Sequence, residues 1–225
     1  MRATLVLLLG LFATNLHAAV LAFDDTTYTT SAQVEAGVNS DSRSATSPPL
    51  PIFSSAFTSD GGGNHSSAFG QAGDGVLAVT AVAASDTLSA SGFGVSNFLG
   101  TFLSTSAGQF GLHIHFDTDD QIAGAGGVTS EGMLHVTLFG NGDSLYDQSF
   151  LAGTDIDQTF NLAAGTFASL EITLTSTTTA LNAFSLNASS AQFATAFAPV
   201  PEPGTWMLVI TGLLMLGFMR VRQSQ

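Results

Sequence analysis

The sequence predicts an all-β protein: an antiparallel β-sandwich of jelly-roll-like form, placed between a signal peptide and one C-terminal transmembrane helix. Beyond Gly75 apolar and polar side chains alternate with a period of two, which is typical of half-buried strands. Turn residues separate these segments at short intervals, as in sandwiches and barrels. The 225 residues include no cysteine, so the body must be held by a packed core rather than by disulfides or thiolate zinc sites.

The first element is a signal peptide over residues 1–19. Arg2 precedes an apolar run from Leu5 to Ala13, and small residues follow up to Ala19. A positive charge, a short apolar run and small residues are typical of a secretory leader, and this run is shorter than the about 20 residues that span a bilayer. We therefore expect export, with cleavage after Ala18 or Ala19.

The body is predicted to cover residues 20–198. Between Ala32 and Gly75 the periodicity is weak, and we expect a few short strands joined by long loops. Further along, the alternation predicts strands at residues 76–82, 110–116, 133–139, 144–146, 156–162, 169–175 and 183–188, with a hairpin turn at 141–143. Phenylalanine is expected to supply most of the bulky core, through Phe93, Phe98, Phe102, Phe110, Phe116, Phe139, Phe150, Phe160, Phe167 and Phe184.

The last element is a proline-rich strip followed by an apolar helix, over residues 199–225. Proline keeps the strip that contains Pro201, Glu202 and Pro203 extended and non-helical. An uncharged segment follows and ends in arginines, so the positive-inside rule predicts a membrane anchor with a cytoplasmic C-terminus. Its expected residues are Trp206, Leu208, Val209, Ile210, Leu213, Leu214, Leu216, Phe218, Arg220 and Arg222.

The run from Val200 to Trp206, the apolar helix with glycines and the terminal arginines together resemble the PEP-CTERM sorting segment of Gram-negative, polysaccharide-producing bacteria. The resemblance is confined to this tail, and its two arginines are fewer than the several that are common. In that family exosortase, a membrane-embedded cysteine transpeptidase, recognises the motif and removes the tail. The resemblance implies that Pro201, Glu202 and Pro203 are the recognition residues, and that exosortase and the inner membrane are partners.

Charge in the chain is sparse and acidic. Seventeen Asp and Glu residues face four arginines and no lysine, for a formal net charge of −13. Such a surface repels phosphate backbones, because nucleic-acid affinity depends on basic residues that displace counterions. Nucleic acid is therefore not expected as a partner, whereas divalent cations or neutral polysaccharides suit the surface better.

One predicted strand carries candidate metal ligands. His113, His115 and Asp117 alternate and would point to the same face, and His135 on a neighbouring strand would add a ligand. Two imidazoles and a carboxylate suit zinc or another transition metal. The alternative is a polar, solvent-facing side of an amphipathic strand.

The acidic residues Asp117, Asp119 and Asp120, expected at a strand end, form a candidate calcium site, with Asp155 and Asp157 as a weaker one. The alternative is a solvated acidic turn. Apart from this calcium ion, no cofactor is expected.

No enzymatic motif is present in the body. Its glutamates, Glu35, Glu131 and Glu171, lie in no recognisable pattern, and no Gly-x-Ser-x-Gly elbow occurs. We therefore expect no enzyme but an exported structural protein of the cell surface, biofilm or extracellular matrix, anchored in the inner membrane before sorting and associated with exopolysaccharide.

Three alternatives for the body stay open. One is a carbohydrate- or calcium-binding module, for which Tyr28 and Tyr146 are the available large polar aromatics. Another is a metal-dependent enzyme that uses His113, His115 and Asp117. A row of alternating threonines from Thr173 to Thr179 would also suit water ordered at ice.

Overall fold

The computed structural model describes residues 19–47, 51–200 and 211. The predicted signal peptide, apart from Ala19, lies outside the described residues, and so does the predicted sorting and anchor segment beyond Val200, apart from Thr211, which is helical. In the described ranges no helix has both the length and the apolar character that crossing a bilayer requires.

The described residues form one antiparallel sheet, so the all-β antiparallel prediction is confirmed. Its strands are β1 (Ala19–Val20), β2 (Asp25–Ala36), β3 (Asn39–Ser47), β4 (Ile52–Ser59), β5 (His65–Gly73), β6 (Val76–Ser85), β7 (Ala90–Leu103), β8 (Gly108–Gly140), β9 (Asp143–Phe150), β10 (Thr154–Leu162) and β11 (Phe167–Pro199).

Two strands of 33 residues each, β8 and β11, form the spine of the sheet. They pair with each other along almost their whole length, while β7 lines the first half of β11 and β6 lines its second half. This divides the sheet into two arms. The first arm has the order β3-β2-β7-β11-β8-β9, and the second arm has the order β4-β5-β6-β11-β8-β10.

The two arms face each other. Strands that are not hydrogen bonded come together across the interior, β2 against β4 and β5, and β7 against β5 and β6. The edge strands β3 and β4 also meet, where Asn39 Nδ2 donates to the Ser59 carbonyl at 2.9 Å. The result is a nearly closed, barrel-like sheet. The expectation of many short strands is wrong for β8 and β11, each of which contains two of the predicted segments.

The spine bends where its register shifts, between the Leu181–Gly127 and Ala183–Gly124 pairs. Here β11 has one extra residue, Asn182, and β8 has two, at positions 125 and 126. Because side chains alternate, one extra residue exchanges the faces of a strand and two extra residues restore them. The interior of β11 accordingly changes from even positions before the bend to odd positions after it, while β8 keeps its even positions inside.

Large side chains fill the half of the interior beneath the spine and β7. The predicted faces Leu112, Ile114, Phe116 and Leu134, Val136, Leu138 are confirmed, and all six side chains are buried. Of the predicted core phenylalanines, those fully or almost fully buried are Phe98, Phe102, Phe110 and Phe116, whereas Phe93, Phe150, Phe160 and Phe184 are only partly buried. The core prediction is wrong for Phe139 and Phe167, because both occupy outward-facing odd positions and are exposed.

Small residues fill the other half of the interior, between β2 and β7 of the first arm and β4, β5 and β6 of the second. Its buried cluster consists of Ala32, Val34, Ala56 and Ala68. A Cβ atom placed on Gly92 would lie 2.9 Å from the Val82 carbonyl oxygen of the opposite arm, so the two backbones almost touch. The long loops predicted between residues 32 and 75 are wrong, because β2 to β5 occupy most of this range.

Candidate functional site

The predicted metal-ligand residues lie on the outer face of β8. His113, His115 and Asp117 are exposed on that face, as their alternation predicts. The register of β10 sets Asp157 opposite His113 and Asp155 opposite His115. Nδ1 of His113 is 2.6 Å from Asp157 Oδ1, and Nδ1 of His115 is 2.7 Å from Asp155 Oδ1. Each imidazole therefore has its own carboxylate on the edge strand.

His135, the fourth candidate ligand, lies beyond the bend and belongs to the first arm. Its Nε2 is 2.8 Å from Oδ1 of Asp147 on β9. Within residues 19–47 and 51–200, no three His, Asp or Glu side chains form a group that would hold a metal ion. The structure thus does not assemble the proposed metal centre, and the arrangement is a series of exposed His–Asp pairs that join β9 and β10 to β8.

The His115 pair is also distinguished electrostatically. The hydrogen bond to Asp155 and then the charge of Asp155 raise the pKa of His115, with a smaller contribution from Asp117, against an opposing effect of burial. Both partners are more than half exposed, so solvent screens the attraction. The raised pKa extends upward the pH range over which His115 is protonated and attracted to the Asp155 carboxylate.

The aspartates of the candidate calcium site do not converge. They lie inside β8 rather than at a strand end, and the consecutive residues Asp119 and Asp120 point to opposite faces of the sheet. Asp120 accepts hydrogen bonds from Ser130 Oγ at 2.5 Å and from Asn187 Nδ2 at 2.8 Å. Its oxygens therefore serve a network near the bend.

That network is centred on Asn187, which is fully buried. Besides Asp120, its Nδ2 donates to Thr118 Oγ1 at 3.0 Å, and its Oδ1 accepts from Ser189 Oγ at 2.9 Å. Gly132 faces the same cluster, and a Cβ there would collide with the Ser189 and Thr118 hydroxyls. The cluster is closed on itself, and this favours a structural role at the bend.

The two tyrosines proposed as a sugar platform pack inward instead. The Tyr28 ring is 5.1 Å from the Phe98 ring, and the Tyr146 ring is 5.7 Å from that of Phe160 on β10. Burial raises the pKa of both phenols, and the charge of Asp74 adds to the effect at Tyr28. Both side chains are partly buried, and each ring already contacts a phenylalanine.

The threonine row lies on the outer face of β11, as its alternation predicts. Its members are enclosed between β7 and β8, and three of them bond to neighbouring strands. Thr173 accepts from Asn97 Nδ2 at 2.9 Å, Thr175 Oγ1 donates to the Met133 carbonyl at 3.4 Å, and the Thr179 and Thr129 hydroxyls are 2.7 Å apart. Hydroxyls engaged in this way are less available to order water at an ice surface.

Three phenylalanines that the sequence reasoning left out form the most exposed aromatic surface of the body. Phe53 and Phe57 on β4 are 53% and 63% exposed, and Phe69 on β5 is 36% exposed. Phe69 pairs with Ser55, so its ring lies diagonally between the other two, 5.9 Å from that of Phe53. We call these residues the phenylalanine strip. The alternation of Phe53, Ser55 and Phe57 is the signal from which it was predictable.

A groove of about 410 Å³ runs beside the phenylalanine strip. Phe57 and Phe69 line it together with Ser55, Ser67 and Thr80, and the edge strand β3 adds two charged side chains, Asp41 and Arg43. Arg43 Nε is 3.3 Å from Asp41 Oδ1, and its side chain is 67% exposed. The groove thus combines aromatic faces with a carboxylate and a guanidinium.

The predicted sorting residues Pro201, Glu202 and Pro203 lie outside the described residues. The chain approaches them along β11, which ends at Pro199, and the amide of Val200 donates to the Ala107 carbonyl at 2.8 Å. Close by, β1 pairs with the end of β11, through Ala19–Phe197 and Val20–Ala196. Both ends of the described body therefore lie side by side, at the end of the sheet remote from the bend.

A scan against protein-family models gives no match, and a search of curated proteins gives none. Among solved structures, the chain is weakly similar to that of the infectious bursal disease virus Gx strain, with 11% identity, 91% of this chain and 70% of that chain covered, and a TM-score of 0.20. The Gt strain structure gives 12% identity, with 84% of this chain and 69% of that chain covered, and a TM-score of 0.16. The VP2 subviral particle of the same virus gives 10% identity, with 90% of this chain and 74% of that chain covered, and a TM-score of 0.14. Likenesses this weak carry no argument about function.

Proposed function

We propose that this chain is an exported structural protein of the bacterial cell surface or extracellular matrix, sorted through its tail by exosortase. The observation that carries the proposal is the course of the last described strand. β11 runs to Pro199, and the Val200 amide donates to the Ala107 carbonyl, so the strand that joins both arms of the body is the one that precedes Pro201 in the sequence. In the sequence the motif directly follows this strand and directly precedes the apolar segment.

The position of the N-terminus supports the same topology. Ala19, at the expected signal-peptide cleavage site, pairs with Phe197 near the exit to the tail. A leader and an anchor that leave the same end of a body reach the same membrane without crossing the fold. The body then extends away from the bilayer while both segments are in place.

The body itself supports a structural role rather than catalysis. We infer a sandwich of jelly-roll-like form, because the two arms enclose one interior between them. The clusters around Asn187 and His115 have their polar groups paired with one another. The acidic composition disfavours nucleic acid and is compatible with a neutral exopolysaccharide, which is the partner that we propose.

The test of sorting is a cellular one. The full chain, with an epitope in the exposed 151–153 loop, is expressed in a bacterium with exosortase and in the same strain without it. Fractionation and mass determination of both termini are expected to give a tail-less surface protein only when exosortase is present. Glu202→Ala is expected to retain the tail and remain in the inner membrane, whereas Gln225→Ala is the matched control. Equal processing in both strains would contradict the proposal.

A carbohydrate-binding role of the body is the second candidate. The specific observation that favours it is the exposure of the phenylalanine strip beside a groove with charged residues. Solvent-exposed aromatic rings are costly in a soluble protein unless a ligand covers them, and a cluster of them is typical of a binding surface.

A further inference from the structure

We propose that the groove beside the phenylalanine strip binds a neutral pyranose chain, with Phe57 and Phe69 as the stacking faces and Asp41 and Arg43 as the polar groups that orient it. The identity of the chain as exopolysaccharide rests on the proposed function. Recognition of a pyranose follows from the groove itself.

The apolar part of the site suits a sugar ring. The C–H face of a pyranose is apolar and flat, and it packs against the face of an aromatic ring. Phe53 and Phe57 are four residues apart on β4, which separates their Cα atoms by about 13 Å. With Phe69 on the neighbouring strand, diagonally between them, the strip offers three successive rings, of which Phe57 and Phe69 line the groove. This suits a chain of sugars better than a single small ligand.

The polar part of the site has unused hydrogen-bonding capacity. Arg43 is the only Lys or Arg between residues 3 and 219. Its Nε lies 3.3 Å from Oδ1 and 3.5 Å from Oδ2 of Asp41. Among the described residues, no hydrogen-bond partner is found for its two terminal nitrogens. A guanidinium and a carboxylate side by side provide paired donors and acceptors for adjacent sugar hydroxyls. Few polar groups placed beside an apolar floor are typical of ligand sites.

Charge selects a neutral glycan over other occupants. The chain carries a formal charge of −13, so a polyanionic polymer or a second copy of this acidic chain is repelled at long range. Addition of a peptide strand to the edge of β4 is also disfavoured, because β3 lies against that edge and Asn39 already bonds to the Ser59 carbonyl. A neutral polymer meets neither obstacle.

Binding of the purified full chain, in detergent micelles, to a printed array of neutral hexose and pentose oligosaccharides tests the proposal. Uronate oligosaccharides are printed on the same array for comparison. We expect retention of at least one neutral glycan, with affinity reduced about tenfold or more by Phe57→Ala and by Arg43→Ala. Phe167→Ala is the matched control, because Phe167 is 55% exposed on the outer face of the other arm.

Several results would overturn the site. These are no binding to any neutral glycan, preference for uronates, or equal affinity of the parent and the Phe57→Ala variant. Sedimentation at two protein concentrations tests whether a second copy of the chain occupies the strip instead. If the protein binds no glycan but self-associates, and Phe57→Ala abolishes this self-association, the strip is assigned to contact between copies. Urea unfolding of each variant verifies that it is folded. Since the assay needs no exosortase, its failure leaves the sorting proposal standing, and the reverse also holds.

Discussion

His115 on β8 and Asp155 on β10 are direct partners in the antiparallel ladder, and 2.7 Å separates their Nδ1 and Oδ1 atoms. Asp117 on the same strand face adds a second negative charge nearby, and Gln192 of β11 is the neighbour on the other side. The pair attaches an edge strand to the spine by a contact whose strength depends on protonation.

This relationship predicts a pH dependence. Because Asp155 raises the pKa of His115 above its ordinary 6.5 in the folded state, the pair stabilises the fold fully below pH 6.5, and the contribution is lost as pH rises through the raised value. We expect Asp155→Asn to lower the His115 pKa toward 6.5 in an NMR titration. Asp143→Asn removes the same charge from β9 without contacting His115 and is expected to leave that pKa unchanged.

A second prediction concerns Asn64, a fully buried residue in the turn between β4 and β5. Its Oδ1 accepts from the amides of Asp86, Thr87 and Leu88 at 3.0 to 3.2 Å, and its Nδ2 donates to Asp60 at 2.5 Å. Asn64→Ala leaves several of these groups unpaired, and we expect a loss of about 3 kcal/mol in the free energy of unfolding, measured in urea.

The control for Asn64 is Asn161→Ala. Asn161 is exposed and its Oδ1 accepts a single long bond from Gln109, at 3.4 Å, so its removal is expected to change the free energy of unfolding by less than about 0.5 kcal/mol. Similar losses for the two variants would show that the buried turn does not depend on Asn64.

The close approach of the arms gives a third prediction. Gly92→Ala adds a methyl group 2.9 Å from the Val82 carbonyl oxygen and 3.1 Å from that of Ser67, both backbone atoms that cannot rotate away. We expect a loss of about 2 kcal/mol in urea unfolding. Gly127→Ala meets no atom within 4 Å and is expected to be neutral or slightly stabilising. Tolerance of Gly92→Ala would mean that the arms are farther apart.

The bulge at Asn182 gives a fourth prediction. Deletion of this residue would turn the inward side chains of β11 beyond the bend, such as Ala183 and Ala191, to the outside. We expect the deletion variant to lose its cooperative urea transition. Asn182→Gly keeps the length and suits the φ of 54°, so it is expected to unfold as the parent does. A cooperative transition in the deletion variant would contradict the face exchange.

The sequence predicted well wherever the interior is made of large side chains. Leu112, Ile114 and Phe116 contrast strongly with the polar residues between them, so the alternation indicated both the strand and its buried face. Between residues 117 and 131 both faces of β8 are exposed or nearly so. The contrast disappears there, and the continuous spine was predicted as separate strands.

On β4 the relation between hydrophobicity and burial is inverted. On β4 the inward residues are Ser54, Ala56 and Thr58, and the outward ones include Phe53 and Phe57. Backbones that approach as closely as at Gly92 leave room only for small side chains, so the buried face is less hydrophobic than the exposed one. The alternation of Phe53, Ser55 and Phe57 can therefore locate the strand, but hydrophobic periodicity assigns its exposed face to the interior.

The histidine site shows a further limit. Alternation correctly predicted that His113 and His115 share a face, but the aspartates opposite them come from β10, 44 and 40 residues away along the chain. The register that pairs them depends on the arrangement of the whole sheet. Spacing within one strand therefore suggested shared ligands, where the fold forms separate pairs.

The central position of β11 has a mechanical consequence. This strand leads to the tail, and it is hydrogen bonded on both sides, to β8 along one edge and to β7 and β6 along the other. A pull on the body from Pro199 acts along the strand, so it loads these two rows of bonds simultaneously in shear instead of opening them one after another. Under the proposed anchoring through the tail, force from the cell would therefore act on the strand that is paired along both edges in the described part of the chain.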